Sequence, residues 1–207
     1  MSTGIDTTQN CTAHASALRA AGYDFIGRYL SRSTWKLIGA AEASALRAAG
    51  LNLVLVYEDG PTAPSYFSFG RGQIDAQRAA TQAALLGAQD ATCIYFAVDY
   101  DASLADVNGC IGDYFKGVSA GLAGVAGTGG TTAAVPHYLV GAYGSGRTCR
   151  ALQQTGAAQY TWLAQSSGWA GYDPVGSWSI VQGMPVAVAG VSGDPNKADA
   201  AYGAVAP

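Results

Sequence analysis

The sequence predicts an α/β chain folded as a small (β/α)8 TIM-like barrel whose last units lack full helices. Three observations carry that expectation. Short apolar, β-rich runs alternate with helical periodicity along most of the 207 residues, the pattern of βα units around a parallel sheet. Eight such runs stand in the chain. Acidic residues recur where the runs end, and that end of a barrel is where βα loops assemble sites.

Taken in order, strands are expected at Thr3–Asp6, Phe25–Leu30, Leu53–Tyr57, Cys93–Val98, His137–Ala142, Tyr160–Ala164, Trp178–Gln182 and Val188–Ser192. Leu53-Val54-Leu55-Val56 and Ile94-Tyr95-Phe96-Ala97-Val98 are continuously apolar, as strands buried on both faces are. Between them, Ile38, Ala41, Ala45 and Ala49 recur at helical spacing ahead of Gly50, a stop signal. A further helix is expected from Gln73 to Leu86. Val107, Ile111, Tyr114, Val118 and Leu122 form another stripe, opened by a Ser103/Asp106 capping box. The Gly/Ala/Thr run Gly121–Ala134 reads as a loop. Beyond about Gln154 the Gly-, Ser- and Pro-rich connections leave little room for helices. An open doubly wound sheet is the alternative, but no G-x-G-x-x-G follows the first strand. Residues 1–207 are read as one domain.

Composition excludes several classes of function. Apolar residues make up 49% and charged residues 12%, against about 25% charged in an average chain, which excludes disorder. The net charge of −3 comes without any Lys/Arg cluster, so nucleic acid is not an expected partner. The longest stretch free of charge, Gly117–Gly146, is interrupted by Gly, Thr, Pro136 and His137, so no membrane span is expected. Met-Ser-Thr-Gly-Ile-Asp shows no signal peptide. Cys11, Cys93, Cys110 and Cys149 are scattered without C-x-x-C spacing, so no metal is expected. Cys93 reads as a small core residue, and the Cys11/His14 spacing as incidental. A cofactor-free monomer is expected.

The acids are the candidates for chemistry. Asp6 closes the first strand, Glu58 and Asp59 the third, Asp99 and Asp101 the fourth, and Asp194 the last. Strand side chains alternate faces, so Asp99 and Asp101, two residues apart, can point the same way with Cα atoms about 6.6 Å apart. Crowded carboxylates raise the pKa of at least one, and an acid beside a base is the equipment of glycoside hydrolysis. The plain alternative is that each Asp caps a helix or bonds loop amides. Glu58 is either an acceptor for a saccharide hydroxyl or a structural partner of Arg28 or Arg71. Tyr29, Tyr57, Tyr100, Tyr143, Trp162 and Trp169 stand near strand ends, where rings stack on sugars or simply pack. Gln182 can bond a sugar or a catalytic carboxyl. The run Gly141-Ala-Tyr-Gly-Ser-Gly-Arg147 lacks the Lys-Ser/Thr of a phosphate loop, and Ser145 lacks nucleophile-elbow spacing.

The runs Gly4-Ile-Asp6-Thr, Phe25-Ile-Gly-Arg-Tyr-Leu, Ala45-Leu-Arg-Ala-Ala-Gly-Leu, Ile94-Tyr-Phe-Ala-Val-Asp99-Tyr-Asp101, Val140-Gly-Ala-Tyr-Gly-Ser and Gly190-Val-Ser-Gly-Asp194 together carry a resemblance. They resemble the bacterial glycoside-hydrolase-like TIM-barrel family typified by a Tat-exported mycobacterial protein and related to the family-25 muramidases. The resemblance spans nearly the whole chain. It implies a catalytic corner of Asp6, Asp99 and Asp101 with Asp194 nearby, and a peptidoglycan-type polysaccharide as substrate. In the muramidases the fourth strand ends in Asp-x-Glu, the Glu being the general acid; here that position is Asp101, one methylene shorter. The last strand carries Gly193-Asp194-Pro-Asn196 where the family pattern is Val-Asp-x-Asp, so its second acid is missing. The expected function is a muramidase-like glycosidase acting outside the cytoplasm, as a phage lysin or secreted effector; any other function would be cytoplasmic. Asp101 is expected as general acid, with Asp99 stabilising the cationic centre or placing the acetamido group and Asp6 orienting that pair. Glu58, Tyr29, Tyr143, Gln182 and Asp194 are expected to contact substrate. The alternatives are a non-catalytic saccharide-binding barrel and a hydrolase that cuts peptides or amides.

Overall fold

Seven parallel strands and one antiparallel strand close a β-barrel in the computed structural model, which describes residues 1–125 and 136–207. The strands are β1 (Ser2–Asp6), β2 (Phe25–Leu30), β3 (Asn52–Tyr57), β4 (Cys93–Ala97), β5 (Leu139–Gly144), β6 (Tyr160–Leu163), β7 (Ile180–Gln182), β8 (Val186–Val188) and β9 (Val191–Ala198). Each of β1 to β6 pairs in parallel with the next, and β9 closes the ring antiparallel between β7 and β1. The expected mixed α/β barrel with eight barrel strands is therefore present.

The eighth barrel strand is not the expected Val188–Ser192. The chain turns back after β8, and the longer β9 enters the ring in the opposite direction. No helix joins β7 to β9, and a tight hairpin is a connection that only antiparallel strands allow. This reversal puts the start of β9 at the end of the barrel where β1 finishes, pairing Asp6 with Asp194.

The helices are α1 (Ala15–Ala20), α2 (Ala40–Ala48), α3 (Phe69–Leu85), the short α4 (Leu104–Asp106), α5 (Gly112–Val125) and α6 (Gly146–Gln154). The capping box of Ser103 and Asp106 is formed, and a π-turn at Val107–Ile111 joins α4 to α5. The stripe Val107, Ile111, Tyr114, Val118, Leu122 is buried throughout. Helix α3 starts a turn before the expected Gln73 because Ser68 caps it by accepting from the Arg71 amide. It lies close against α5: a Cβ on Gly117 would fall 2.0 Å from the Phe69 carbonyl oxygen. Helix α6 is an addition to the sequence reading. It grows from the rejected phosphate-loop run, with Ser145 as its cap.

Helix α2 buries the expected stripe only in part: Ile38 is buried and Ala49 packs on the core. Ala41 is exposed, while Glu42, Ala43 and Leu46 point inward. The cause is an ion pair: Glu42 accepts from Arg28 Nε and Nη2 at 2.8 and 3.0 Å, with both side chains buried. An unpaired buried guanidinium would cost several kcal/mol, which outweighs the choice of one alanine face over another. The fifth strand also begins two residues later than expected, at Leu139. The expected loop Gly121–Ala134 starts inside α5, and its remainder, 126–134, lies outside the described residues.

Alternation along the strands sorts the core into two layers. Phe25, Val54, Val56, Cys93, Tyr95, Trp162 and Ile180 fill the barrel. Ile26, Leu30, Leu53, Leu55, Ile94 and Phe96 face the helices. The tail after β9 covers the N-terminal ends of the strands: Tyr202 packs on Phe25 at 5.0 Å and Val205 bridges to Leu53. The four cysteines are free, with Cys93 wholly buried. Among the described residues no helix is long and apolar enough to cross a membrane.

Candidate active site

The inward positions of successive strands deliver polar side chains to the C-terminal mouth. Asp6 ends β1 and is nearly inaccessible, at 2% exposure. Its carboxylate accepts from Tyr29 Oη at 3.2 Å, Gln182 Nε2 at 2.9 Å and Asn196 Nδ2 at 2.8 Å. Burial still dominates and pushes the Asp6 pKa up to about 6, against these hydrogen bonds and helped by the charge of Asp194. Gly27 makes the burial possible, since a Cβ there would lie 2.6 Å from Asp6 Cβ and 2.9 Å from the Trp162 ring.

Gln182 organises the mouth. Its Nε2 reaches both Asp6 and Asp194 Oδ2 (3.3 Å), and its Oε1 accepts from Tyr143 Oη and the Gln165 amide. Asp6, Tyr29, Val56, Glu58, Tyr143 and Trp162 line a hollow of about 10 Å³, room for about one water. Glu58 accepts from Lys36 Nζ at 2.6 Å. This settles its pairing against the expected Arg28 or Arg71, which instead take Glu42 and the Asp75/Asp59 pair.

Asp99 sits differently. It is half-buried and its carboxylate bonds no protein donor among the described residues. Burial raises its pKa and the charge of Glu58 raises it further, while Lys36 opposes both. Asp6, Glu58, Asp99 and Asp194 all act electrostatically on Tyr143, so these four acids share one neighbourhood. Asp194 is also raised, by burial.

Asp101 stands outside that hydrogen-bond network. Strand β4 ends at Ala97 and the Asp99 amide bonds Pro61, so the alternation expected to align Asp99 with Asp101 stops short of them. The Asp101 side chain is exposed, and its Oδ1 accepts from the Ala170 amide at 2.9 Å.

Several aromatic candidates are accounted for by packing. Trp162 is 1% exposed and donates to Asn196 Oδ1; Tyr57 is 1% exposed and bonds Asp75 on the helix side of the barrel. Tyr100 packs on Phe67. Two mouth residues escaped the sequence reading. Trp35, 70% exposed, and the buried Lys36 lie on the loop after β2, with Lys36 Nζ 5.1 Å from the Tyr29 ring and 5.9 Å from the Trp35 ring. No strand-end rule reaches a loop residue; the only signal was an adjacent Trp and Lys in a charge-poor chain. Asn196, at the position of the missing second acid, supplies an Asp6 donor instead. Among the described residues no group of three or more His, Cys, Asp or Glu side chains could hold a metal ion.

A barrel of this form with acids at its mouth is a glycoside-hydrolase-like fold related to the muramidases. Residues 16–192 match the Rv2525c-like, glycoside hydrolase-like domain, and the chain belongs to that family. The Tat-secreted protein Rv2525c of Mycobacterium tuberculosis, solved with L-tartrate, superposes with a TM-score of 0.79 over 99% of both chains at 23% identity. A lysozyme from Streptomyces coelicolor superposes at 0.54, with 16% identity over 97% of this chain and 93% of that one. The uncharacterized protein YbfG of Bacillus subtilis is 31% identical over 189 residues, which are 86% of this chain and 25% of that relative. The chain thus spans about a quarter of the length of that curated relative.

Proposed function

We propose that the mouth binds and hydrolyses an amino-sugar polymer of the peptidoglycan type, with Asp99 as the proton donor. The observation that carries this reading is the state of Asp99: half-buried, bonded to no protein donor among the described residues, and raised in pKa by burial and by the charge of Glu58. A carboxyl that holds its proton more tightly than a free one, in reach of a sugar, is suited to leaving-group protonation. Asp99 gives its proton to the glycosidic oxygen, the C1–O bond breaks, and the released alcohol keeps that proton. The cationic C1, or the oxazolinium formed when a neighbouring acetamido oxygen closes on it, is stabilised by Glu58. Water then adds at C1 and returns a proton to Asp99. Asp6 orients the mouth through Tyr29, Gln182 and Asn196. Asp101 and Asp194 accept sugar hydroxyls at the rim. No cofactor enters this chemistry. The substrate lies outside the cytoplasmic membrane, so the reading requires an export route.

The test is release of reducing ends from purified peptidoglycan between pH 4 and 8. Asp99→Asn should cost about 10²–10⁴-fold, and Asp101→Asn less. Wild-type protein that releases none across this range ends the hydrolytic reading. A second reading, a saccharide-binding barrel without turnover, is favoured by one observation: the hollow beside Asp6 takes about one water. It expects saturable retention on cell walls that survives Asp99→Asn, with no product.

A further inference from the structure

The loop after β2 has two sides. Lys36 turns into the mouth to meet Glu58, whereas Ser31, Arg32 and Leu37 line an open groove of about 680 Å³ against α3. Glu58 and Asp59 divide in the same way: Asp59 leaves the mouth and bonds Ser31 Oγ and Arg32. Across the groove stand Ile74, Arg78 and Thr81.

The charges here do not balance. Arg32 pairs with Asp59, and Arg71 with Asp75 and Asp59. Arg78 has no carboxylate within ion-pair distance among the described residues; its Nη1 donates to Tyr57 Oη at 3.3 Å. Asp75 is already filled by Arg71 and the hydroxyls of Tyr57, Tyr66 and Tyr114. The groove therefore holds a surplus guanidinium in a chain of net charge −3. Leu37 and Ile74, the latter 53% exposed, add apolar surface for the C–H faces of a pyranose. The volume falls within the roughly 300–1,000 Å³ of small-molecule sites.

We propose that this groove is a second saccharide subsite, selective for a sugar unit that carries a carboxylate. The inference rests on the mouth being a saccharide site. Its chemical sense is a division of labour: the mouth acids disfavour an anionic sugar, and Arg78, across the loop after β2 from them, receives it. A polymer crossing the loop then places a neutral unit in the mouth and an acidic one in the groove. The carboxylate belongs either to a lactyl ether on the sugar or to a peptide attached to it.

Isothermal titration with three soluble probes tests this: a neutral N-acetylglucosamine tetramer, an alternating N-acetylglucosamine/N-acetylmuramic acid tetrasaccharide, and that tetrasaccharide with its peptide stems. At low salt an acidic probe should bind wild-type protein about tenfold more tightly than the neutral one, the difference expected of one charged hydrogen bond. Whichever acidic probe wins identifies the carboxylate. Arg78→Met should remove the preference. So should Thr81→Trp, which fills the groove and leaves its charges in place; both variants are checked by their melting temperature. Equal affinity for all three probes, or a preference that survives both variants, overturns this inference while the mouth remains a saccharide site. Failure of wild-type protein to bind any probe overturns the reading of the mouth, and this inference with it.

Discussion

Asp6 ties the stability of the barrel to pH in a way that can be worked out from its surroundings. Its carboxyl titrates near 3.8 when unperturbed and is pushed up to about 6 in the folded chain. Between those values the folded protein holds a proton that the unfolded chain has lost, so stability falls as pH rises. At about 1.36 kcal/mol per pH unit, the loss totals about 3 kcal/mol over the whole transition, about 2 kcal/mol of it between pH 4 and 6, and it persists at higher pH. Asp99 and Asp194 are raised too and act with the same sign. Asp24 and Asp59 are lowered; their stabilisation is present above the unfolded carboxylate value and is lost only as pH falls below it. Urea titrations at half-unit steps from pH 4 to 7.5 read the slope directly. Asp6→Asn should flatten most of it, whatever that variant's absolute stability, because the amide no longer titrates. An unfolding free energy that stays level from pH 4 to 6, or an undiminished slope in Asp6→Asn, would refute the claim that burial dominates at this carboxyl.

Other consequences follow from packing and pairing. Glu42→Gln leaves Arg28 buried without its counter-charge and should lower stability by about 3–5 kcal/mol, measured by urea unfolding at neutral pH. Gly27→Ala drives a methyl into Asp6 and Trp162 and should cost about 1–3 kcal/mol while weakening the mouth; unchanged stability would mean that Asp6 can move. Trp35→Ala removes an exposed ring beside Lys36. Its stability should stay within about 0.5 kcal/mol of wild type, while retention on cell walls falls; equal retention would exclude Trp35 from the binding surface.

Much of the barrel was legible because its signals are local. Continuous apolar runs marked β3 and β4, and the spacing of Val107, Ile111, Tyr114, Val118 and Leu122 marked the buried face leading into α5. Helix α2 was misread because the deciding term was a pair of charges fourteen residues apart in the chain, and periodicity carries no record of partners. The last strand was misplaced for a related reason. An antiparallel closing strand with polar residues at its mouth end gives no continuous apolar run, so the expected strand was set at Val188–Ser192 while β9 runs from Val191 to Ala198.

The site divides along the same line. The sequence by itself determined which strands end in carboxyls, because strand ends are set by local hydrophobicity and turn chemistry. It also determined that the surface would carry few charges. Only the tertiary structure decided the states of those acids: Asp6 enclosed by three donors, Glu58 held by Lys36, Asp99 without a donor among the described residues, and Asp101 turned to the Ala170 amide. Proton affinity and pairing depend on which groups lie within a few ångströms and on how much water remains. Those distances are fixed when distant segments close into a ring, not by neighbours along the chain.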